Sequence, residues 1–260
     1  QVLKRNPGNV DMVMLAGEIA SSLGDLEKAF SYARNFVKLD PQNPRGLLFL
    51  ANTLILQGKA EDALTVLDHT VDMIGPDVAV LLQRARLIET LRGSQVALPY
   101  LEDLARLDPE NTEVLSCLAK VQMESKQFDK AEETLHQALR ITPTNPELNL
   151  MLGKLQKTQG HLDKALYYLS EAVRSSPIDV EPYLELANAY QERKEYQQAL
   201  ALYQQAIKIA PKDDRAYYQS AVVMREIKDY PGAEAMLRKA AHLSPNDLSI
   251  RRQLSAVIAL

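Results

Sequence analysis

Residues 180–213 read VEPYLELANAYQERKEYQQALALYQQAIKIAPKD, and the spacing of their apolar side chains decides the fold. Tyr183, Leu186, Ala187 and Tyr190 stand at i, i+3, i+4 and i+7, the stripe of an amphipathic helix. The same spacing begins again at Tyr196 and runs through Ala199, Leu200, Tyr203 and Ala206. Lys194 lies between the two stripes, where one helix must end and the chain reverse. Pro211 follows the second stripe and stops it, because proline lacks the N–H that a continuing helix needs. The segment is therefore a helical hairpin.

The pattern repeats in both directions. Pro7, Pro41, Pro109, Pro143, Pro177, Pro211 and Pro245 share one register of 34, and Gly75, followed by Pro76, fills the vacant slot. This phase divides the chain into repeats at 10–43, 44–77, 78–111, 112–145, 146–179, 180–213 and 214–247. Residues 1–9 are expected to end a preceding repeat, and 248–260 to form the first helix of an eighth repeat or a C-terminal cap. Val257, Ile258 and Leu260 are apolar for a cap, which favours the former.

Counting columns within the repeat, the twentieth is Ala29, Ala63, Ala97, Ala131, Ala165, Ala199 and Ala233. The eighth is small throughout: Gly17, Ala51, Ala85, Ala119, Gly153, Ala187 and Ala221. The twenty-fourth is Ala33, Leu67, Leu101, Leu135, Leu169, Tyr203 and Leu237. Small residues at columns 8 and 20 suit helices whose axes approach to about 8–10 Å. The third repeat departs most, with Arg84 where Leu is usual and Ser94 opening its second helix, so that hairpin is expected to be the loosest.

The residues resemble the tetratricopeptide repeat family. Tyr183, Leu186, Ala187, Tyr190, Ala199, Tyr203, Ala206 and Pro211 match its signature position for position, and the resemblance covers essentially the whole chain. It implies an all-α fold, a right-handed superhelical solenoid of stacked antiparallel hairpins whose inner groove is lined by first helices. It also implies a protein-interaction scaffold, an adaptor or assembly factor. The alternative is the substrate-recruiting arm of a larger enzyme such as a glycosyltransferase.

Composition narrows the chemistry. Thirty basic against 34 acidic side chains give a net charge of −4, which lacks the surplus that drives phosphate-backbone binding, so no nucleic-acid partner is expected. The repeat length and missing basic face also argue against an RNA-reading helical array. One cysteine, Cys117, forms no intramolecular disulfide and no cysteine-rich zinc site. His69, His136, His161 and His242 occupy different columns, so no metal site is read. No Gly-rich phosphate loop, cofactor site or catalytic residue is found, and the chain is read as not an enzyme. No stretch approaches the roughly 20 apolar residues of a membrane span, so direct membrane insertion is not expected. Compartment stays open between the cytoplasm and, because the chain begins within a repeat, the bacterial periplasm.

Function then lies in a surface. Columns 2, 5, 9 and 12 share one face of the first helix. Column 5 reads Met14, Leu48, Leu82, Ser116, Leu150, Leu184 and Tyr218. Column 9 reads Glu18, Asn52, Arg86, Lys120, Lys154, Asn188 and Val222, with Lys157 nearby. The candidate groove is Leu48, Asn52, Leu82, Arg86, Lys120, Leu150, Lys154, Lys157, Leu184, Asn188 and Tyr218, suited to an acidic peptide with apolar anchors. The competing reading is a solvated lattice in which Glu113, Glu147 and Glu181 pair with Lys120 and Lys154, with column 5 buried between hairpins.

Two family specialisations are absent from the pattern. Co-chaperones that grip acidic chaperone tails need Lys at column 5, and no repeat here has it. The asparagine ladder of O-linked N-acetylglucosamine transferases lies at column 6, which here reads Leu15, Phe49, Gln83, Cys117, Met151, Glu185 and Gln219.

Overall fold

A computed structural model describes residues 9–259. The expected end of a preceding repeat therefore falls, except for Asn9, outside the described residues, as does Leu260. Fifteen helices and no strand occur among the described residues. First helices are α1 (Val10–Ser22), α3 (Pro44–Leu56), α5 (Val78–Arg92), α7 (Thr112–Glu124), α9 (Pro146–Thr158), α11 (Val180–Glu192) and α13 (Asp214–Glu226). Each is followed by its second helix: α2 (Leu26–Leu39), α4 (Ala60–Ile74), α6 (Ser94–Leu107), α8 (Phe128–Ile141), α10 (Leu162–Ser175), α12 (Tyr196–Ile209) and α14 (Tyr230–Leu243). The last helix is α15 (Leu248–Ile258).

The chain divides into two compact units, 1–134 and 135–260, with the division inside α8. In the first unit each helix from α1 to α6 packs on the next, ending with α6 on α7. In the second the same succession runs from α9 to α15. First helices of adjacent repeats also touch, α3 with α5, α5 with α7 and α9 with α11, so these contacts stay between neighbouring repeats, as a repeat array requires.

Every first helix starts after Asn or Asp: Asn9, Asn43, Asp77, Asn111, Asn145, Asp179, Asp213 and, before α15, Asp247. In each case the side-chain oxygen accepts from a backbone N–H of the first turn, for example Met12 N–H to Asn9 Oδ1 at 3.0 Å. This capping column accompanies the proline column, with Gly75 in its vacant slot, at every repeat boundary from Asn43 to Asp247.

The turns behave as the spacing predicts. Gly24, Gly58 and Gly160 adopt φ of 77°, 76° and 79°, and Lys126, Lys194 and Lys228 take φ of 60°, 63° and 65° at the same column. The left-handed conformation is easy for glycine and costs roughly 1–2 kcal/mol for a residue with a Cβ. The third hairpin differs, because α5 runs on to Arg92 and a single residue, Gly93, separates it from α6.

The core follows the columns. All seven alanines of column 20 are completely buried, and the column-24 side chains are at most 2% exposed. A Cβ on Gly153 would lie 2.6 Å from Leu169 Cγ, so columns 8 and 24 touch where the sequence placed small against large. Arg84 leaves its core column, reaching Asp68 at 2.5 Å and stacking 4.9 Å from the Tyr100 ring centroid. A pocket of about 190 Å³ lies beside it, lined in part by Leu81, Leu104 and Leu107. Ala97 and Leu101 of the same hairpin are inaccessible, as their columns are in the other repeats.

Candidate functional site

In the first unit, Arg86 on α5 pairs with Glu113 on α7 at 2.9 Å, and its Nε donates to Cys117 Sγ at 3.2 Å. Lys120 on α7 reaches back to Glu89 at 2.7 Å. That hydrogen bond, opposed by partial burial, raises the Lys120 pKa. Burial pushes the Cys117 thiol up more than Arg86 pulls it down, the reverse of what a nucleophilic thiolate needs.

In the second unit the pairs join into a chain. Lys157 meets Glu185 at 2.5 Å, Glu185 meets Lys154 at 3.3 Å, and Lys154 meets Glu181 at 3.6 Å. Glu181 then meets Arg215 at 2.8 Å, and Arg215 meets Asp213 at 2.8 Å. The network links α9, α11 and the start of α13. Burial opposes ionisation of Glu185, but the hydrogen bond from Lys157 and the charges of both lysines outweigh it and hold the carboxyl below its usual range. Tyr203, fully buried on α12, sets its hydroxyl 2.6 Å from Asn188 Oδ1 and 2.9 Å from Gln191 Oε1. Burial, with the charges of Glu185 and Glu192, raises its pKa.

All four cations of the predicted ladder therefore have carboxylate partners. The pairing differs in register from the lattice expected, since Glu113 serves Arg86 while Glu181 serves Lys154 as anticipated. Two of the pairs, Arg86 with Glu113 and Lys154 with Glu181, run from column 9 of one repeat to column 2 of the next, whereas Lys120 turns back to column 12 of the preceding repeat.

Column 5 divides. Leu82 and Leu184 are 4% and 5% exposed and belong to the core, Leu82 with Leu101 and Val114, Leu184 with Tyr203 and Ala216. Leu82 clusters with Val114 at the start of α7 and Leu184 with Ala216 at the start of α13, so the next first helix covers these two side chains. Leu48, Leu150 and Tyr218 remain half-buried, and Asn52 is exposed with its Oδ1 accepting from Gln83 at 2.9 Å.

The first unit also holds a cleft of about 650 Å³ between α1 and α3. Met14, Leu48, Phe49 and Leu56 give it apolar walls, with Glu18, Arg45, Asn52, Ser21 and Ser22 around them. Such volumes are typical of clefts that hold ligands, about 300–1,000 Å³. Only Leu48 and Asn52 of this set were in the predicted groove. The missed signal was Gly17 beside Phe49: a Cβ on Gly17 would lie 2.5 Å from Phe49 Cε1, so the ring occupies space that alanine fills in most other repeats.

Among the described residues no group of three or more His, Cys, Asp or Glu is placed to hold a metal ion, and no helix is long and apolar enough to cross a membrane.

The tetratricopeptide repeat profile matches residues 20–84, 95–155, 156–222 and 190–258. No curated protein matches by sequence. Among solved structures, the chain is similar to a tetratricopeptide repeat protein from Parabacteroides merdae, at 19% identity and a TM-score of 0.70 over 96% of this chain and 98% of that one. It is similar to a chain of the APC/C hetero-tetramer Cut9-Hcn1 at 17% identity and a TM-score of 0.75, over 98% of this chain and 51% of that one. It is also similar to YrrB, described as having an unusual peptide-binding site, at 20% identity and a TM-score of 0.57, over 72% and 96% of the two chains. With the profile spanning most of its length and the columns buried as described, the chain belongs to the tetratricopeptide repeat family.

Proposed function

We propose that this chain is a non-catalytic adaptor, of the kind that serves in assembly, holding a segment of a protein partner against its first-helix faces. Tetratricopeptide repeats are in general interaction scaffolds for protein partners, which supplies the class. The observation that carries the finer reading is the cleft of about 650 Å³ between α1 and α3. Apolar walls there admit a partner side chain, and Leu48 and Asn52 lie on its lining. Beyond it the partner meets Arg86 and Lys120 in the first unit. In the second unit Leu150, Lys154, Lys157, Asn188 and Tyr218 offer the equivalent surface.

Internal pairing tempers these cations. A partner carboxylate at Lys154 competes with Glu181 and Glu185, so cationic attraction sets orientation and encounter rate more than affinity. The test recovers partners by pull-down with wild-type protein, then repeats it with Asn52→Trp, which fills the cleft from an exposed position, and with Lys208→Glu on a second helix. Binding lost with Asn52→Trp and kept with Lys208→Glu is the expected result. Equal recovery by both variants refutes the groove.

A further inference from the structure

Columns 9 and 2 face each other across successive first helices, and their signs are not constant. Between α5 and α7 they carry Arg86 and Glu113, and between α9 and α11 Lys154 and Glu181, each joined as an ion pair. Between α1 and α3 the same places carry Glu18 and Arg45, with the signs exchanged. These two exposed side chains form no ion pair or side-chain hydrogen bond among the described residues, and both line the cleft. The apolar floor of Met14, Leu48 and Phe49 belongs to the same cleft.

We infer that the cleft between α1 and α3 takes a peptide segment with one large apolar side chain flanked by a cation on one side and a carboxylate on the other. The cation meets Glu18, the carboxylate meets Arg45, and the apolar side chain enters the cleft. A segment with two acidic flanks sets one of them against Glu18, and a segment with two basic flanks sets one against Arg45, so both are disfavoured. The partner chemistry here is thus mixed in charge, unlike the acidic segment the cation column by itself suggests. The inference rests on the proposed groove and adds the pattern that the groove reads.

The test pans a random dodecapeptide phage library on the intact wild-type protein, on Glu18→Lys and on Arg45→Glu. Wild type is expected to enrich an apolar anchor with one cationic and one acidic flank. Glu18→Lys is expected to enrich two acidic flanks, and Arg45→Glu two basic ones. Fluorescence polarisation with the wild-type peptides should show a loss of about fivefold for each mismatched charge. Flanks that stay the same across all three proteins overturn the charge pattern while leaving the groove standing. Peptides that bind Asn52→Trp and Leu56→Asp as well as wild type, or no enrichment on wild type, overturn the groove itself. Both positions are exposed, Leu56 by 56%, and a thermal melt of each variant verifies its fold.

Discussion

Between α1 and α3 a carboxylate and a guanidinium line an apolar cleft without pairing with each other or with another described residue, whereas between α9 and α11 the same columns sit in a continuous network from Lys157 to Asp213. The backbone repeat is the same in both places. What differs is which side chain stands against the small column: Gly17 lies against Phe49 of the next first helix, whose ring reaches the cleft, while Gly153 lies against Leu169 of its own second helix, within the core. Column 6 adds to the contrast, with Phe49 in the first region and the carboxylate of Glu185 in the second. A repeated face therefore becomes a wall or an opening according to which side chain fills the space between first helices.

The largest expected effect lies in the network. Glu185 is 14% exposed between two lysines, so Glu185→Lys should destabilise the second unit by roughly 2–4 kcal/mol, since it leaves like charges partly buried. Glu18→Lys, at an exposed position with no ion pair among the described residues, should stay within about 0.5 kcal/mol. Hydrogen exchange resolved hairpin by hairpin is the suitable measurement, because an array need not unfold in one step. Similar losses at both sites would erase the contrast.

Next in size are the two glycines. Gly153→Ala forces a methyl against Leu169 and its backbone, and should cost about 1–3 kcal/mol by overpacking. Gly17→Ala meets the far edge of the Phe49 ring, which has the cleft to move into, and Tyr32 Cβ at 3.1 Å, and should cost about 1 kcal/mol while narrowing the cleft. A crystal structure of Gly17→Ala with an unmoved ring would contradict this.

The turns give a smaller, reciprocal pair. Lys194 carries φ of 63° at the column where Gly24 carries 77°. Lys194→Gly should stabilise α11–α12 by roughly 1 kcal/mol and Gly24→Lys should destabilise α1–α2 by a similar amount. Denaturant midpoints moving in the same direction for both would refute the strain argument.

The smallest effect is in pH. The folded Glu185 carboxyl titrates below its usual value, so its stabilisation is fully present above the unfolded value of about 4.3 and disappears as pH falls through the lower folded one. Glu185→Gln should therefore be less stable than wild type at neutral pH, with the gap closing below about pH 4. A gap that widens on acidification reverses the sign and removes the lysine clamp from the account.

Much of the fold was legible because burial in a helical hairpin depends on the spacing of residues close in sequence. Ala165 and Leu169 were assigned to the core by period alone and are inaccessible. The capping column is equally periodic, since Asn111, Asp179 and their equivalents recur in phase, but Asn and Asp are also common in turns, so the pattern alone does not mark them as caps. Of the candidate site, the first-helix face and its columns were readable, but Leu82 and Leu184 went under the neighbouring hairpins and Phe49, Glu18 and Arg45 were missed.

By itself the sequence determined the period, the hairpins, the turns and the identity of the core columns, because a 3.6-residue helix places every fourth side chain on one face whatever its neighbours do. Only the tertiary structure decided which charges are paired and where the face opens. Those outcomes depend on distances of a few ångströms between side chains about 30 residues apart, such as Lys154 and Glu181 at 3.6 Å. A column of like residues does not contain that distance. It emerges when Gly17, Phe49 and the helices around them settle into contact, leaving Glu18 and Arg45 without a pairing to each other at the cleft between α1 and α3.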